Sequence, residues 1–242
     1  NGIVLYGPRR MGKTSLLRHL ENWLPKQGNY IPLYFDLQDH ASQTLEQVLN
    51  DLANSVAEKL NVSIPGNVEP SNFPNWLGQL LKSLPEKTAL VLFFDEFDML
   101  GDPKTQQAGS AFLPYLRSNL LELNPQRLHF IFAISRSYED LSLDMLSVFK
   151  AMSSIFVSLY NREETMELIH LSELNNSLQW TKAASEKVWQ LTQGHPNLTA
   201  MLCLEVWERA YEKEPVSLPI ATVTDVDTAI SDVLDRSTHM MV

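Results

Sequence analysis

The chain has 242 residues, of which 44% are hydrophobic, so it can bury a substantial core in one large domain or in a core plus a smaller domain. Its 29 acidic residues outnumber its 19 basic residues and give a formal net charge of −10. This charge argues against a broad surface that follows nucleic-acid phosphates and against a polybasic membrane contact. We therefore expect no direct contact with nucleic acid and none with a membrane.

The single cysteine, Cys203, excludes an intrachain disulfide and predicts a cytoplasmic protein with a buried structural thiol. The longest apolar runs, 89–94 and 130–134, are much shorter than the roughly 20 residues that span a bilayer. No signal peptide opens the chain. These features predict a soluble protein.

The first element in chain order is a phosphate-binding loop, because residues 7–14 match the pattern G-x-x-x-x-G-K-[ST]. The apolar run 3–6 precedes the loop and the helix-forming run 15–20 follows it, so backbone N–H groups and the positive end of a helix dipole point at one anion site. We predict nucleotide binding by nine consecutive residues: Gly7, Pro8, Arg9, Arg10, Met11, Gly12, Lys13, Thr14 and Ser15.

Within this loop the residue types have different roles. The two glycines allow a tight turn and close approach of backbone to phosphate. Lys13 is expected to reach the β- and γ-phosphates as a catalytic residue, and the Thr14 hydroxyl to ligate Mg²⁺. Arg9 and Arg10 either add charge to the phosphate site or are solvated at the loop tip.

Short β-rich apolar runs alternate with helical stretches in the first 160 residues, which predicts an α/β fold with a parallel sheet covered on both faces. Helices are predicted at 42–60 and from Asp102 and Pro103 to about 123, with a surface loop around Pro65, Gly66 and Asn67. The predicted strands lie near 2–6, 31–36, 89–94, 128–134 and 154–159.

The run 89–94 contains no polar residue, which is typical of a central strand, and it leads directly into acidic residues. A carboxylate at the carboxyl end of a parallel strand lies where open α/β sheets bind ligands. Asp95 is therefore predicted to hold Mg²⁺ opposite Thr14, and Glu96 to activate the attacking water as general base. Asp98 is a weaker candidate for that base.

The run 128–134 ends in Ser135 and Arg136. If this strand lies between the first strand and the 89–94 strand, its end faces the γ-phosphate. Either residue could then report whether that phosphate is present, and Arg136 is the stronger candidate.

From Asn161 onward the pattern becomes purely helical, so we divide the chain into a nucleotide-binding core, 1–160, and a helical lid, 161–242. Two capping boxes are predicted, Asn161 with Glu164 and Thr224 with Asp227. The predicted lid helices are 163–174, 182–193, 196–212 and 224–236.

Inside this lid, Gly194 is predicted to end one helix and Pro196 to start the next. Four residues at helical spacing are predicted to form the lid core: Trp189, Met201, Leu204 and Trp207.

Four segments together resemble AAA-like ATPases of the STAND class and the related archaeal-type ATPases: the phosphate loop in 6–17, the acidic strand end 93–96, the Ser-Arg strand end 134–136 and the Gly-x-Pro element in 193–196. This resemblance implies a P-loop NTPase with a five-stranded parallel sheet ordered 5-1-4-3-2 and a C-terminal α-helical lid. It also implies that His195 and Pro196 approach the nucleotide base or sugar, and that the ATPase is regulatory.

These patterns favour an ATP/ADP-binding module that hydrolyses ATP slowly with Mg²⁺ and changes conformation as it does so. A nucleotide-dependent interaction scaffold with negligible turnover is the alternative, and a P-loop kinase is a third. We expect the module to belong to a longer chain, to act on other domains or partner proteins, and to assemble into a nucleotide-dependent oligomer.

Overall fold

The computed structural model describes residues 2–64, 66, 68–101, 106–212 and 215–239, and it describes the side chains of these residues except at 106–109 and 235–239. The predicted helix start at Asp102 and Pro103 lies outside the described residues, as do Pro65 and Asn67 of the predicted loop.

A five-stranded parallel sheet forms the centre of the first part of the chain. Its order is β2-β3-β4-β1-β5, so the order implied by the family resemblance is confirmed. The strand β3 is buried along its whole length, as the apolar run predicted. The strands are β1 (Gly2–Tyr6), β2 (Tyr30–Asp36), β3 (Ala89–Asp95), β4 (Leu128–Ile134) and β5 (Ser153–Phe156).

The last strand is shorter than the predicted 154–159. Val157 N still donates to Tyr6 O at 2.8 Å, but β1 ends at Tyr6 and the chain turns into the phosphate loop. Beyond this point β5 has no strand to pair with, so the predicted extension to 159 was wrong.

Helices cover both faces of the sheet. They are α1 (Lys13–Gln27), α2 (Leu45–Leu60), α3 (Phe73–Ser83), α4 (Gln106–Tyr115) and α5 (Leu143–Phe149). The predicted start of α2 at 42 was wrong because Thr44 and Gln47 form a capping box that begins the helix at Leu45. After Pro114 the chain widens into a π-helical turn at Leu116–Leu120.

The remainder of the chain contains α6 (Arg162–Ile169), α7 (Leu171–Leu174), α8 (Lys182–Thr192), α9 (Pro196–Glu212) and α10 (Val223–His239). The prediction that this part is purely helical was wrong, because β6 (Gln179–Trp180) pairs in parallel with β7 (Ile220–Ala221). The predicted helix 163–174 is divided at His170.

One predicted capping box of this part is confirmed and the other is wrong. Asn161 and Glu164 exchange both capping hydrogen bonds at the start of α6. At α10 the capping pair lies two residues earlier than predicted, because the Asp225 carboxylate accepts from both the N–H and the hydroxyl of Thr222. This pair ends β7 and begins the helix immediately after it.

The core of this part differs in detail from the predicted set. Leu204 is 50% exposed, while Leu202 and Val206 are buried on the inner face of α9. Cys203 is half-buried against the same core, and burial raises the pKa of its thiol to about 12. The thiol is therefore inert at neutral pH, as expected of a structural cysteine.

Backbone contacts divide the chain into two compact units, one of residues 1–9 and 13–157 and one of residues 10–12 and 158–242. The assignment of these parts as nucleotide-binding core and lid stays a prediction. Across the described ranges, none of the helices is both long enough and apolar enough to cross a bilayer.

Candidate functional site

The phosphate loop begins where β1 ends, and its backbone requires the residues that the motif supplies. Gly7 has φ 157°, and a Cβ there would lie 2.5 Å from Val157 O, so only glycine fits beside the end of β5. Arg10 and Gly12 have φ of 65° and 88°, in the left-handed region. The chain thus makes the tight turn that the two glycines predicted.

Lys13 is the first residue of α1 and is only 5% exposed. Its ammonium donates to Gly7 O at 2.9 Å and to Pro8 O at 2.8 Å. These two hydrogen bonds connect the end of the phosphate loop to its beginning. Burial lowers the pKa of Lys13, while the carboxylates of Glu96, Asp98 and Asp95 oppose that shift. The lysine charge therefore faces the acidic end of β3.

The other loop residues present different groups. Thr14 and Ser15 are exposed in the first turn of α1, where backbone N–H groups have no partner within the helix. Pro8, Arg9 and Arg10 are exposed, whereas Met11 is buried and can offer only its backbone to a ligand. An exposed first turn beside a buried lysine suits a phosphate chain.

Asp95 is the last residue of β3 and is 2% exposed. Its Oδ2 accepts from the Tyr34 hydroxyl at 2.7 Å, and its Oδ1 accepts from Glu96 N at 3.0 Å. Each oxygen keeps a further lone pair, so the carboxylate can still face a hydrated cation.

Glu96 follows with φ 47°, an uncommon conformation for a residue with a side chain. Burial raises the pKa of its carboxyl, and the charges of Asp98 and Asp95 raise it further. A carboxylate whose pKa is shifted upward toward neutrality is a better proton acceptor, so the environment suits a general base.

Asp98 lies in the 3₁₀ turn Phe97–Gly101 and is 2% exposed. Its Oδ1 accepts from Ser135 N at 3.0 Å, and its Oδ2 lies 3.7 Å from Arg136 Nε. The carboxylate therefore joins the acidic turn to the end of β4. These contacts leave Glu96 the stronger candidate for the base.

The end of β4 brings both predicted sensor residues to this region. Ser135 Oγ is buried without a hydrogen-bond partner among the described residues. Arg136 lines a cavity of about 500 Å³ beside Gly7 and Pro8. A buried hydroxyl and a guanidinium next to the phosphate loop fit a terminal phosphate, although contact with it stays a prediction.

Three aromatic side chains also line this cavity, and they were not predicted. The ring of Tyr6 lies 5.1 Å from that of Tyr138 and 5.2 Å from that of Phe156. Sequence reasoning missed these rings, and it missed Tyr34, because each comes from a different strand or turn. The one signal in the sequence was the position of Tyr6 and Phe156 at strand ends.

The Gly-x-Pro element lies in the second unit. Its left-handed helix cap is Gln193, with φ 48°, rather than the predicted Gly194, because the left-handed turn begins one residue earlier. His195 Nδ1 accepts from Leu198 N at 3.4 Å, and Pro196 is buried at the start of α9. Contact of His195 and Pro196 with nucleotide stays a prediction.

The residues present fit Mg²⁺ of the kind that is held mainly by phosphates and water. Within the described ranges there is no group of three or more His, Cys, Asp or Glu side chains that could enclose a metal ion. Asp95 offers a carboxylate and Thr14 a hydroxyl as oxygen ligands. This set matches the preference of Mg²⁺ for one or two protein ligands plus substrate phosphates.

Solved structures share this fold at low sequence identity. A Walker-type ATPase of Pyrococcus abyssi matches with a TM-score of 0.66 and 16% identity over 99% of this chain and 68% of that one. The Aeropyrum pernix ORC1 protein, solved in complex with DNA, matches with a TM-score of 0.61 and 16% identity over 96% of this chain and 59% of that one.

Thermotoga maritima RuvB, a Holliday junction branch migration motor, matches with a TM-score of 0.55 and 18% identity over 96% of this chain and 61% of that one. The chain thus spans about three fifths of the ORC1 and RuvB chains. At these identities the likeness shows the fold alone.

No curated protein matches this sequence. A family of ATPase domains, predominantly from Archaea, matches residues 1–202, which include the phosphate loop, the acidic strand end and the Ser-Arg strand end. The match covers most of the chain, and the chain therefore belongs to this family of ATPase domains.

Proposed function

We propose that this chain binds ATP and ADP with Mg²⁺ and hydrolyses ATP slowly. The observation that carries the proposal is the arrangement around Lys13, whose buried ammonium closes the phosphate loop and faces the carboxylates of Asp95 and Glu96. A cation that binds the β- and γ-phosphates and an acidic pair at the end of β3 are the parts that phosphoryl transfer to water requires.

In this proposal each residue has one role. Lys13 and the loop N–H groups bind the phosphates, and Thr14 and Asp95 hold Mg²⁺, which when bound neutralises the charge on the phosphate oxygens. Glu96 accepts the proton of the attacking water. Arg136 contacts the terminal phosphate and stabilises the negative charge there.

The regulatory part of the proposal concerns the difference between ATP and ADP. Only ATP carries the γ-phosphate that Arg136 is proposed to contact, and Arg136 Nε lies 3.7 Å from Asp98 Oδ2. A contact made with ATP alone shifts a conformational equilibrium by its differential free energy. We propose that the Gly194-His195-Pro196 turn contacts the nucleotide base or sugar and transmits this change, as in STAND-type ATPases.

The biological setting is proposed on composition and family. The chain spans about three fifths of ORC1 and RuvB, so we propose that it acts on further domains of a longer protein or on partner proteins, through a nucleotide-dependent oligomer in the cytoplasm. The net charge of −10 favours a module that does not itself contact DNA or a membrane.

Phosphate release by Glu96→Gln tests the hydrolytic proposal. The amide keeps the shape of the side chain but cannot accept the proton, so hydrolysis should slow by about 100-fold or more while ATP binding is retained. Glu58→Gln, an exposed acid of α2, is the matched control and should hydrolyse at the native rate.

Other outcomes separate the alternatives. Loss of hydrolysis in Asp98→Asn but not in Glu96→Gln would assign the base to Asp98. Native protein that binds ATP without releasing phosphate would be a nucleotide-dependent scaffold. Phosphate transfer that requires an added hydroxyl compound would identify a kinase.

A further inference from the structure

The strand β2 places a phenol against the carboxylate that is proposed to hold Mg²⁺. Tyr34 pairs with Phe93 in the β2–β3 ladder, so its side chain lies on the same face of the sheet as Asp95, two residues further along β3. The Tyr34 hydroxyl donates to Asp95 Oδ2 at 2.7 Å. This distance is that of a strong hydrogen bond to a charged acceptor.

The chemistry of the pair keeps the phenol a donor. A carboxylate oxygen offers only acceptor lone pairs, so the Tyr34 hydroxyl is the donor of this pair. With Glu96 N bonded to Oδ1, both oxygens of the Asp95 carboxylate are held and its rotation is fixed.

The ring of Tyr34 also contacts the helix that begins in the phosphate loop. The guanidinium carbon of Arg18 lies 3.4 Å from the ring centroid, the geometry of a cation–π interaction. Arg18 is four residues after Thr14 on α1, so the two share a face of that helix. Tyr34 thus lies between Asp95 on β3 and the helix that carries the other predicted ligand.

We propose that Tyr34 is a positioning residue for magnesium: it fixes the orientation of the Asp95 carboxylate and, through Arg18, the spacing of that carboxylate from Thr14. The inference rests on the proposed function, because it takes Asp95 as the Mg²⁺ residue. Tyr34 belongs to neither sequence motif of the site and touches no phosphate in this role.

The test measures ADP affinity as a function of Mg²⁺ concentration, with a fluorescent ADP and no hydrolysis involved. Tyr34→Phe keeps the ring and removes only the hydroxyl. We expect it to raise by about tenfold or more the Mg²⁺ concentration at which the increase in ADP affinity is half-maximal, because loss of a contact that orients a metal ligand has effects of this size. The ADP affinity measured without Mg²⁺ should stay unchanged. Tyr30→Phe, at the opposite end of β2 and 41% exposed, is the matched control and should behave as native protein.

Asp95→Asn, measured in parallel, separates the two proposals. If Asp95→Asn leaves the Mg²⁺ dependence unchanged, the proposed magnesium site is wrong. If Asp95→Asn weakens it and Tyr34→Phe matches Tyr30→Phe, the positioning role is overturned and the proposed function stands. A Tyr34→Phe protein that also loses metal-free ADP affinity overturns the role as well, because a general structural defect then explains the loss.

Should Tyr34→Phe fail to fold, Arg18→Gln decides the question. It removes the cation over the ring and leaves the hydroxyl in place. We expect a roughly two- to fivefold rise in the Mg²⁺ requirement, the scale of an exposed cation–π contact. An unchanged requirement in Arg18→Gln would then refute the proposal.

Discussion

Replacing Gly194 with alanine should destabilise the second unit strongly, because two costs add at this residue. Its φ is +79°, and a residue with a side chain pays about 1–2 kcal/mol in the left-handed region. An added Cβ would also lie 2.0 Å from Tyr160 O. The backbone of Tyr160 is held in place because its N–H donates to Gly194 O at 2.9 Å. Overpacking of this kind costs about 1–3 kcal/mol.

The sum predicts a loss of about 2–5 kcal/mol in the free energy of unfolding. Gly66→Ala is the matched control, because Gly66 has φ +73° and, among the described residues, no atom lies within 4 Å of the added Cβ. It should lose only the backbone cost of about 1–2 kcal/mol. Urea unfolding followed by tryptophan fluorescence measures both variants, because Trp189 lies beside Gly194 in the second unit and Trp76 packs against the core of the first unit, the one that contains Gly66. Equal losses in the two variants would refute the packing argument.

Further predictions concern the nucleotide chemistry. Because the pKa of Glu96 is raised above its ordinary 4.5, ATP hydrolysis should fall as the pH drops through that raised value; a rate constant that stays flat well below pH 4.5 would exclude Glu96 as the base. Arg136→Ala should narrow the difference between ATP and ADP affinities, whereas His195→Ala should weaken both alike; calorimetric titration of each variant with each nucleotide checks this. An Arg136→Ala protein with the native ratio of ATP to ADP affinity would show that Arg136 does not sense the γ-phosphate.

The sheet could be predicted because its signals are local. An apolar run without polar residues identifies β3, and a glycine-rich turn between a strand and a helix identifies the phosphate loop. The short pair of β6 and β7 could not be predicted, because two residues carry no periodicity and the partners are about 40 residues apart. The start of α10 depends on this pairing, which explains the misplaced capping box.

At the candidate site, the motifs named the residues but not their partners. The sequence indicates that Asp95 follows a buried strand, yet its bond to Tyr34 depends on the register of β2 against β3. Likewise, the contact of Asp98 with Ser135 N requires β3 and β4 to be neighbours. Such contacts between distant segments follow from strand order and register, which no local pattern encodes.

Calorimetric titration of Lys13→Ala with Mg-ATP tests the central claim most directly. Native protein should bind Mg-ATP and gain about 2.7 kcal/mol of stability at a hundredfold excess over Kd. Lys13→Ala should lose this binding because the ammonium that closes the loop is gone. Lys26→Ala, an exposed lysine in the last turn of the same helix, should bind as native protein does. Native affinity in Lys13→Ala would contradict the account, since the phosphate loop would then not be the nucleotide site.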